Sequence, residues 1–184
     1  MILLPMLGVL GMDVVAPLYM KDVIFLFIGG FMIAYAFERW NLHKRIALKI
    51  ILTAGATPSR ILGGFMFASY FLSMWILNTA TATMLLPAAL AIITQIETRQ
   101  QTTTSLATPL LLGLAFASSI GGTASLIGTL PNLVLLDFFN ENFAGQVELD
   151  FAKWMLFGIP ISLVFLVITF FVFKAIFLKK QSAE

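Results

Sequence analysis

The sequence predicts an all-α integral membrane protein with a helical hairpin, a broken transmembrane helix and an amphipathic helix at the membrane surface. Of its 184 residues, 60% are hydrophobic and only 11% are charged, and the mean hydropathy of +0.99 is far above that of soluble domains. Several apolar segments approach the roughly 20 residues that a helix needs to cross a bilayer. Two of them are interrupted by Asn, Thr, Ser and Gly, which a simple lipid-facing helix would not require.

The shortage of reactive side chains argues against an enzyme. The chain has no cysteine, and its single histidine, His43, lies in a basic run without other candidate ligands. No cluster of carboxylate, His or Cys residues falls at membrane depth, and Asp13, Asp22 and Asp137 fall at segment boundaries. We therefore expect no catalytic residues, no cofactor, no metal beyond a sodium ion and no nucleic-acid partner.

The N-terminal part should contribute one spanning helix. Residues 2–12 are apolar but too short to cross, and they look like the second half of a helix, so we expect the chain to be a piece of a longer protein. Residues 23–37, bounded by Asp22 and Glu38, are just long enough to span. Gly29 and Gly30 within them would permit close helix packing.

The stretch "ERWNLHKRIALKIIL" that follows predicts an amphipathic helix. Apolar residues recur at helical spacing on one face, at Leu42, Ile46 and Ile50. Polar and basic residues recur on another face, at Asn41, Arg45 and Lys49. Such a pattern favours a helix lying in the membrane surface, and a helical cytoplasmic loop would show the same periodicity.

A hairpin is predicted over residues 61–96, with apolar legs at 61–77 and 80–96 joined at Asn78 and Thr79. A single crossing of about 35 residues would be about 50 Å long at about 1.5 Å per residue, well beyond a hydrocarbon core of about 30 Å. A hairpin also keeps Arg60, Glu97 and Arg99 on one side. It could span fully or be re-entrant, with its tip inside the protein.

The next apolar segment, residues 106–139, is interrupted by "SSIGGTASLIGTLPN", Ser118 to Asn132. Its Gly, Ser, Thr and Pro content predicts a broken helix, which survives at membrane depth only where freed backbone groups face protein, water or a ligand. A polar loop without Lys or Arg follows at residues 140–150. Twenty uncharged residues, 154–173, then predict a spanning helix with a basic end.

The basic residues predict the orientation of these segments. If residues 38–49 are cytoplasmic, the hairpin returns to the cytoplasm, the broken segment crosses outward and the last helix returns. Only Lys21 and Lys153 then lie outside. Nine of the eleven basic residues lie inside: Arg39, Lys44, Arg45, Lys49, Arg60, Arg99, Lys174, Lys179 and Lys180. The positive-inside rule favours this arrangement, and we expect a multi-pass protein of a bacterial inner or plasma membrane.

The two polar interruptions are the candidate site. A helix that starts just after Asn78 or Thr129 presents unpaired N–H groups and the positive end of its dipole, which suit an anion. Helix C-terminal carbonyls at the same breaks suit a small cation such as sodium. Two breaks together indicate a transporter. The alternative is that the polar residues, Thr81 and Thr83 included, only join helices, as in a non-transporting membrane subunit.

Two quoted motifs, "SMWILNTAT" and "SIGGTASLIGTLPN", occur in this order after "FLFIGGFMIAYAFERWNLHKRIALKIIL". In this the chain resembles the divalent anion/sodium symporter family, which has a re-entrant hairpin with Ser-Asn-Thr at its tip and a broken helix in which Gly-Gly runs into Gly-Thr-Pro-Pro-Asn. The resemblance implies a secondary active transporter for dicarboxylates, tricarboxylates or sulfate, coupled to sodium.

Matching positions imply roles for five residues. Ser73, Asn78 and the Gly128 carbonyl would help to bind one sodium ion. Asn78 and Thr79 would also contact a carboxylate or sulfate oxygen of the substrate, with Thr129 near it. The substrate is thus expected to be a small anion.

Three positions depart from the family pattern. Leu77 stands where the family has serine, which removes a hydroxyl expected to serve the sodium or the substrate. Sodium-independent anion exchange is therefore the alternative to symport. Leu126 and Leu130 stand where the family has proline, which implies a less sharp break.

The family has two inverted repeats, and this chain resembles the first. The resemblance divides it into a scaffold part at 1–53, a transport part at 54–139 with hairpin and broken helix, and an external loop with the final helix at 140–184. It implies elevator-type alternating access, a second repeat that completes the site, surrounding lipid and a homodimer of the full protein.

Overall fold

The computed structural model describes residues 3–9, 11–15, 17, 22–55, 57–100, 106–143 and 149–178. Within these ranges every regular element is helical, so the predicted all-α class is confirmed. The α-helices are, in chain order, α1 Leu3–Met6, α2 Met12–Val15, α3 Asp22–Arg39, α4 Leu42–Ala54, α5 Pro58–Ser73, α6 Asn78–Gln100, α7 Ala107–Ala124, α8 Leu130–Asn142 and α9 Phe151–Phe173. Residues Lys174–Leu178 continue α9 as a short π-helix.

Three helical stretches in the described part of the chain are long and apolar enough to cross a bilayer: Asn78–Thr98, Ala107–Ala124 and Phe151–Leu178. Helix α3 has 18 residues, and its apolar stretch Ile28–Phe37 is shorter than a span, so its crossing stays a prediction. Helix α5 has 16 residues, which gives a length of about 24 Å at about 1.5 Å per residue.

Helix α5 forms the centre of the bundle and packs against α4, α6, α7 and α9. Leu62, Phe65 and Tyr70 on this helix are almost completely buried. These apolar side chains of α5 are therefore covered by protein rather than by lipid. Ser69 Oγ donates to the Leu114 carbonyl of α7 at 2.9 Å, so this buried polar side chain is satisfied.

Helices α5 and α7 run in parallel. Leu62, near the start of α5, faces Gly113, and Tyr70, two turns later, faces Gly121. At both positions the missing side chain of a glycine lets α7 approach its neighbour closely. We expect α5 and α7 to run in parallel if the hairpin and the broken segment both start from the cytoplasmic side.

Helix α9 runs antiparallel to α5. Tyr70 Oη lies 2.8 Å from Ser162 Oγ, whereas Gly63, near the start of α5, faces Phe170 near the end of α9. The start of α5 and the end of α9 therefore lie at the same end of the bundle. This agrees with the prediction that Arg60 and Lys174 share one side of the membrane, although the side itself stays a prediction.

Helix α4 has the two faces expected from the sequence. It follows Asn41, whose φ of 49° is left-handed, and ends before Gly55, whose φ of 96° suits glycine. Ile46 and Ile50 pack half-buried against the bundle core, whereas Arg45 and Lys49, among others, are exposed. Its location in the membrane surface is not tested by these contacts and stays a prediction.

Candidate functional site

The connection between α5 and α6 is a tight turn over residues 74–77. The N–H groups of Trp75 and Ile76 both donate to the Leu72 carbonyl at 3.0 Å, which ends α5. Thr81 N donates to the Leu77 carbonyl at 2.9 Å, which makes Asn78 the first residue of α6. The first leg thus stops at Ser73, four residues before the predicted end, because the apolar sequence continues through the turn.

The segment between α7 and α8, residues 125–129, is not helical. Ser125 Oγ donates to the Met74 carbonyl in the turn after α5 and accepts from Gly128 N at 3.1 Å. Asn132 Nδ2 donates to the carbonyls of Gly122 at 3.0 Å and Ser125 at 2.7 Å. Side chains therefore satisfy backbone groups that the missing helical turn would otherwise leave unpaired, and they bind this segment to the turn at 74–77.

The side chain of Asn78 lies where the two non-helical segments meet. Its amide contacts the hydroxyl of the fully buried Ser73 at 2.5 Å. When Nδ2 faces the second segment, it donates to the carbonyls of Ser118 at 3.1 Å and Gly128 at 3.3 Å. When Oδ1 takes that place, four neutral oxygens converge: the amide oxygen, the hydroxyl and the two carbonyls.

Two glycines make this convergence sterically possible. A side chain at Gly122 would collide with the Asn78 amide. A Cβ atom at Gly128 would lie 2.6 Å from the Ser73 carbonyl oxygen and 2.7 Å from that of Gly122. Such distances are far below van der Waals contact, so Gly128, which meets backbone atoms, requires glycine for reasons of space, whereas a methyl group at Gly122 would displace the Asn78 side chain. The glycines of the motif therefore act here as contact points rather than as sources of flexibility.

A cleft of about 190 Å³ opens beside this junction. It is lined by the first residues of α6 and α8 and by the residues just before them: Leu77, Asn78, Thr79, Gly128, Thr129, Leu130 and Pro131. None of these carries a charge. Both helices have their N-termini at the cleft, but on α8 Pro131 has no N–H group and Asn132 N donates to the Thr129 carbonyl at 3.2 Å, so α6 offers the more complete set of first-turn donors. The Thr129 side chain makes no capping hydrogen bond to α8.

The structure thus brings together all five residues predicted for the site. Ser73, Asn78 and Gly128 are in direct contact, and Thr79 and Thr129 line the adjoining cleft. What they bind stays a prediction. Within the described residues, no group of His, Cys, Asp or Glu is arranged to hold a metal ion.

Sequence reasoning missed the roles of three residues inside the motif that it singled out. The Ser118 carbonyl contributes to the oxygen set, while Ser125 and Asn132 fix the second non-helical segment. Thr83 turns out to bond within α6, to the Thr79 and Ala80 carbonyls, and does not join helices.

The chain matches the citrate transporter family (CitMHS) over residues 1–184. It is 44% identical over 172 residues to the sodium-dependent dicarboxylate transporter SdcS of Staphylococcus saprophyticus, which covers 90% of this chain and 33% of that protein. The protein of the same name from Staphylococcus aureus strain USA300 is also 44% identical, over 174 residues that cover 91% and 33%. The chain therefore spans about a third of the length of these curated relatives, and they are transporters rather than enzymes. Together with its three membrane-length helices, the match over its whole length shows that this chain is an integral membrane protein that belongs to the citrate transporter family.

Proposed function

We propose that the chain is part of a sodium-coupled secondary active transporter that moves di- or tricarboxylates, or sulfate, by elevator-type alternating access. The observation that carries the proposal is the set of three oxygens that face the Asn78 amide, from the Ser73 hydroxyl and the carbonyls of Ser118 and Gly128, beside a cleft lined by two helix N-termini. A cation site and an anion site in contact are what coupled transport of the two requires.

The cation would lie among the oxygens of Asn78, Ser73, Ser118 and Gly128. An amide oxygen directed at two carbonyl oxygens is electrostatically unfavourable unless a positive charge lies among them. Neutral oxygens suit sodium, which keeps its charge and needs only replacement of its water ligands. Binding sodium would therefore turn the Asn78 amide from donating to the carbonyls toward presenting Oδ1 to the ion.

The anion would lie in the adjoining cleft, held by neutral groups. The Asn78 amide directs Nδ2 away from the ion once Oδ1 faces it, so the same side chain can donate to a carboxylate oxygen. Thr79, Thr129 and the first N–H groups of α6 add donors. A sodium ion next to this cleft would reduce the cost of bringing an anion to membrane depth, and binding of the two would be mutually favourable.

Two further features support the wider arrangement of this proposal. Helix α5 is about 24 Å long and buries nine of its sixteen residues, as suits one leg of a re-entrant hairpin. Helix α8 exposes an apolar face at Leu130, Val134, Leu135 and Phe138. We propose that the second repeat covers part of this face and closes the site, within a homodimer whose scaffold includes residues 1–53.

Uptake in proteoliposomes tests this function. We expect the complete protein that contains this chain to take up labelled succinate or citrate saturably, and an inward sodium gradient to raise the initial rate at least about tenfold over a potassium gradient, a coupling of about 1.4 kcal/mol. Labelled sulfate, assayed in parallel, defines the anion class. Absence of saturable flux under every gradient, including preloading for exchange, would leave the non-transporting subunit as the better account.

Leu77 favours a second candidate function, sodium-independent exchange of the same anions. Its side chain is 40% exposed and lines the cleft next to Asn78, where the resembling family carries a hydroxyl. An apolar wall at this point adds no ligand for the ion. Uptake that depends on preloaded anion and not on sodium would identify this variant of the mechanism.

Replacing Leu77 with Ser should strengthen sodium dependence. One added oxygen ligand at about 1–1.5 kcal/mol should lower the half-saturating sodium concentration about fivefold to tenfold. Sodium titration of succinate uptake measures the change. Leu77→Ala removes the same bulk without adding oxygen, and Leu86→Ser adds a hydroxyl elsewhere on α6, at a leucine that is 39% exposed. If Leu77→Ala lowered the half-saturating sodium concentration equally, the gain would come from the space that leucine vacates and not from the added hydroxyl.

A further inference from the structure

A groove of about 420 Å³ opens between α4, the first turns of α5 and the end of α9. Its walls are apolar, formed by Ile50, Phe67 and Phe170. Gly63 and Gly64 also line it, and the Phe170 ring lies close over Gly63, where a Cβ atom would be 3.1 Å from Phe170 Cε2. The groove is therefore an open apolar surface, and it shares no lining residue with the cleft at the breaks.

The mouth of the same groove is cationic. Arg60, which is exposed, lines it, and no acidic residue is among its lining groups. Arg60 forms no ion pair with any residue that the structure describes. The Thr53 hydroxyl is bonded to the Lys49 and Ile50 carbonyls of its own helix, which leaves the Arg60 guanidinium and the half-buried Ser59 hydroxyl as the donors available to a ligand.

We propose that this groove binds one anionic phospholipid, with its phosphate at Arg60 and an acyl chain along Ile50, Phe67 and Phe170. The groove combines apolar walls with one cationic donor, so a ligand with an apolar chain and an anionic group would contact both. A guanidinium pairs with phosphate in a bidentate manner, and basic pockets between helices at the cytoplasmic surface bind anionic headgroups. A net anionic lipid fits better than a zwitterionic one, because the ammonium of the latter would lie close to Arg60.

The site does not depend on what the protein transports. It joins α4, which belongs to the predicted scaffold part, to α5 and α9 through one ligand. A bound lipid would thus stabilise the packing of these three helices. Its effect is expected in the melting temperature of the protein whether or not substrate or sodium is present.

Lipid-dependent melting of the complete detergent-solubilised protein tests the proposal. Dioleoylphosphatidylglycerol should raise the melting temperature of the wild type, and the half-maximal lipid concentration should rise at least about tenfold in Arg60→Gln. Arg45→Gln removes an exposed cation of α4 that does not line the groove and should behave as wild type. Phe67→Ser, at a side chain that is 44% exposed, should weaken the lipid effect without crowding the backbone.

Two additions separate the lipid from other anions. Inorganic phosphate and dioleoylphosphatidylcholine, each at matched concentration, should raise the melting temperature much less than phosphatidylglycerol. Equal responses of Arg60→Gln and Arg45→Gln would overturn the site, because the lipid effect would then be general surface charge. Full stabilisation by inorganic phosphate, or an unchanged response in Phe67→Ser, would show that the acyl chain has no part in it.

Discussion

Replacing Asn78 with Ala should abolish most sodium-dependent uptake while the protein stays folded. The side chain contacts the Ser73 hydroxyl and reaches the carbonyls of Ser118 and Gly128, and it also lines the cleft. Under the proposed function it is the one residue shared by the ion and the anion. Loss of a hydrogen-bonding group to a charged ligand amounts to about 1.5–3 kcal/mol, which is about a 10- to 150-fold loss in transport efficiency.

Succinate uptake as a function of sodium concentration measures this effect, together with the melting temperature in detergent. Asn142→Ala is the matched control, since its Nδ2 donates to the Phe138 carbonyl of its own helix at 2.8 Å, at the exposed end of α8. We expect the control to transport normally. If Asn78→Ala kept wild-type sodium dependence, the oxygen set would be a structural joint between helices and the proposed ion site would be wrong.

The candidate site was predictable from sequence because helix interruption leaves a compositional mark. Asn78 and residues 121–132 stand out as polar or helix-breaking within apolar surroundings, and a broken helix at membrane depth requires an explanation. The sequence also predicted that the two breaks lie near each other, since the topology placed both at similar depth in the membrane. The structure brings Asn78 and Gly128 within 3.3 Å of each other.

The main-chain groups that contribute to the candidate site were not predictable in the same way. The Ser118 carbonyl joins the oxygen set by its position, and any residue at 118 would supply a carbonyl. The bond from Ser125 to the Met74 carbonyl depends on two segments 51 residues apart meeting in one orientation. Residues 74–77 gave no boundary signal because they continue the apolar pattern of α5 through a turn.

The difference in burial between α5 and α6 also could not be predicted from the sequence. Both helices are apolar, yet nine of the sixteen residues of α5 are buried, whereas only 22% of the most apolar stretch of α6 is buried. Glycines on α7 contribute to this difference. Gly113 and Gly121 on α7 let α5 approach, and hydropathy averages cannot show which neighbour will occupy that space.

Replacing Gly121 with Ala should destabilise the bundle, because the new methyl group would run into the Tyr70 backbone of α5. Backbone cannot rotate away as a side chain can, so the two helices must move apart. Overpacking of this kind amounts to about 1–3 kcal/mol and should lower the melting temperature by several degrees. The nearby Tyr70 contact with Ser162 would be disturbed as well, which adds to the loss.

The same change at two other glycines distinguishes packing from site effects. Nothing lies within 4 Å of a Cβ atom built at Gly29, so Gly29→Ala should melt at or slightly above the wild-type temperature. At Gly122 the added methyl would meet the Asn78 amide, which can swing aside, so Gly122→Ala should keep most of its stability and lose sodium dependence. Melting curves and sodium titrations of the three variants therefore give three different patterns. If Gly121→Ala and Gly29→Ala melted together, the close approach of α5 and α7 would be wrong, and the geometry that holds Asn78 against Ser118 would lose its support.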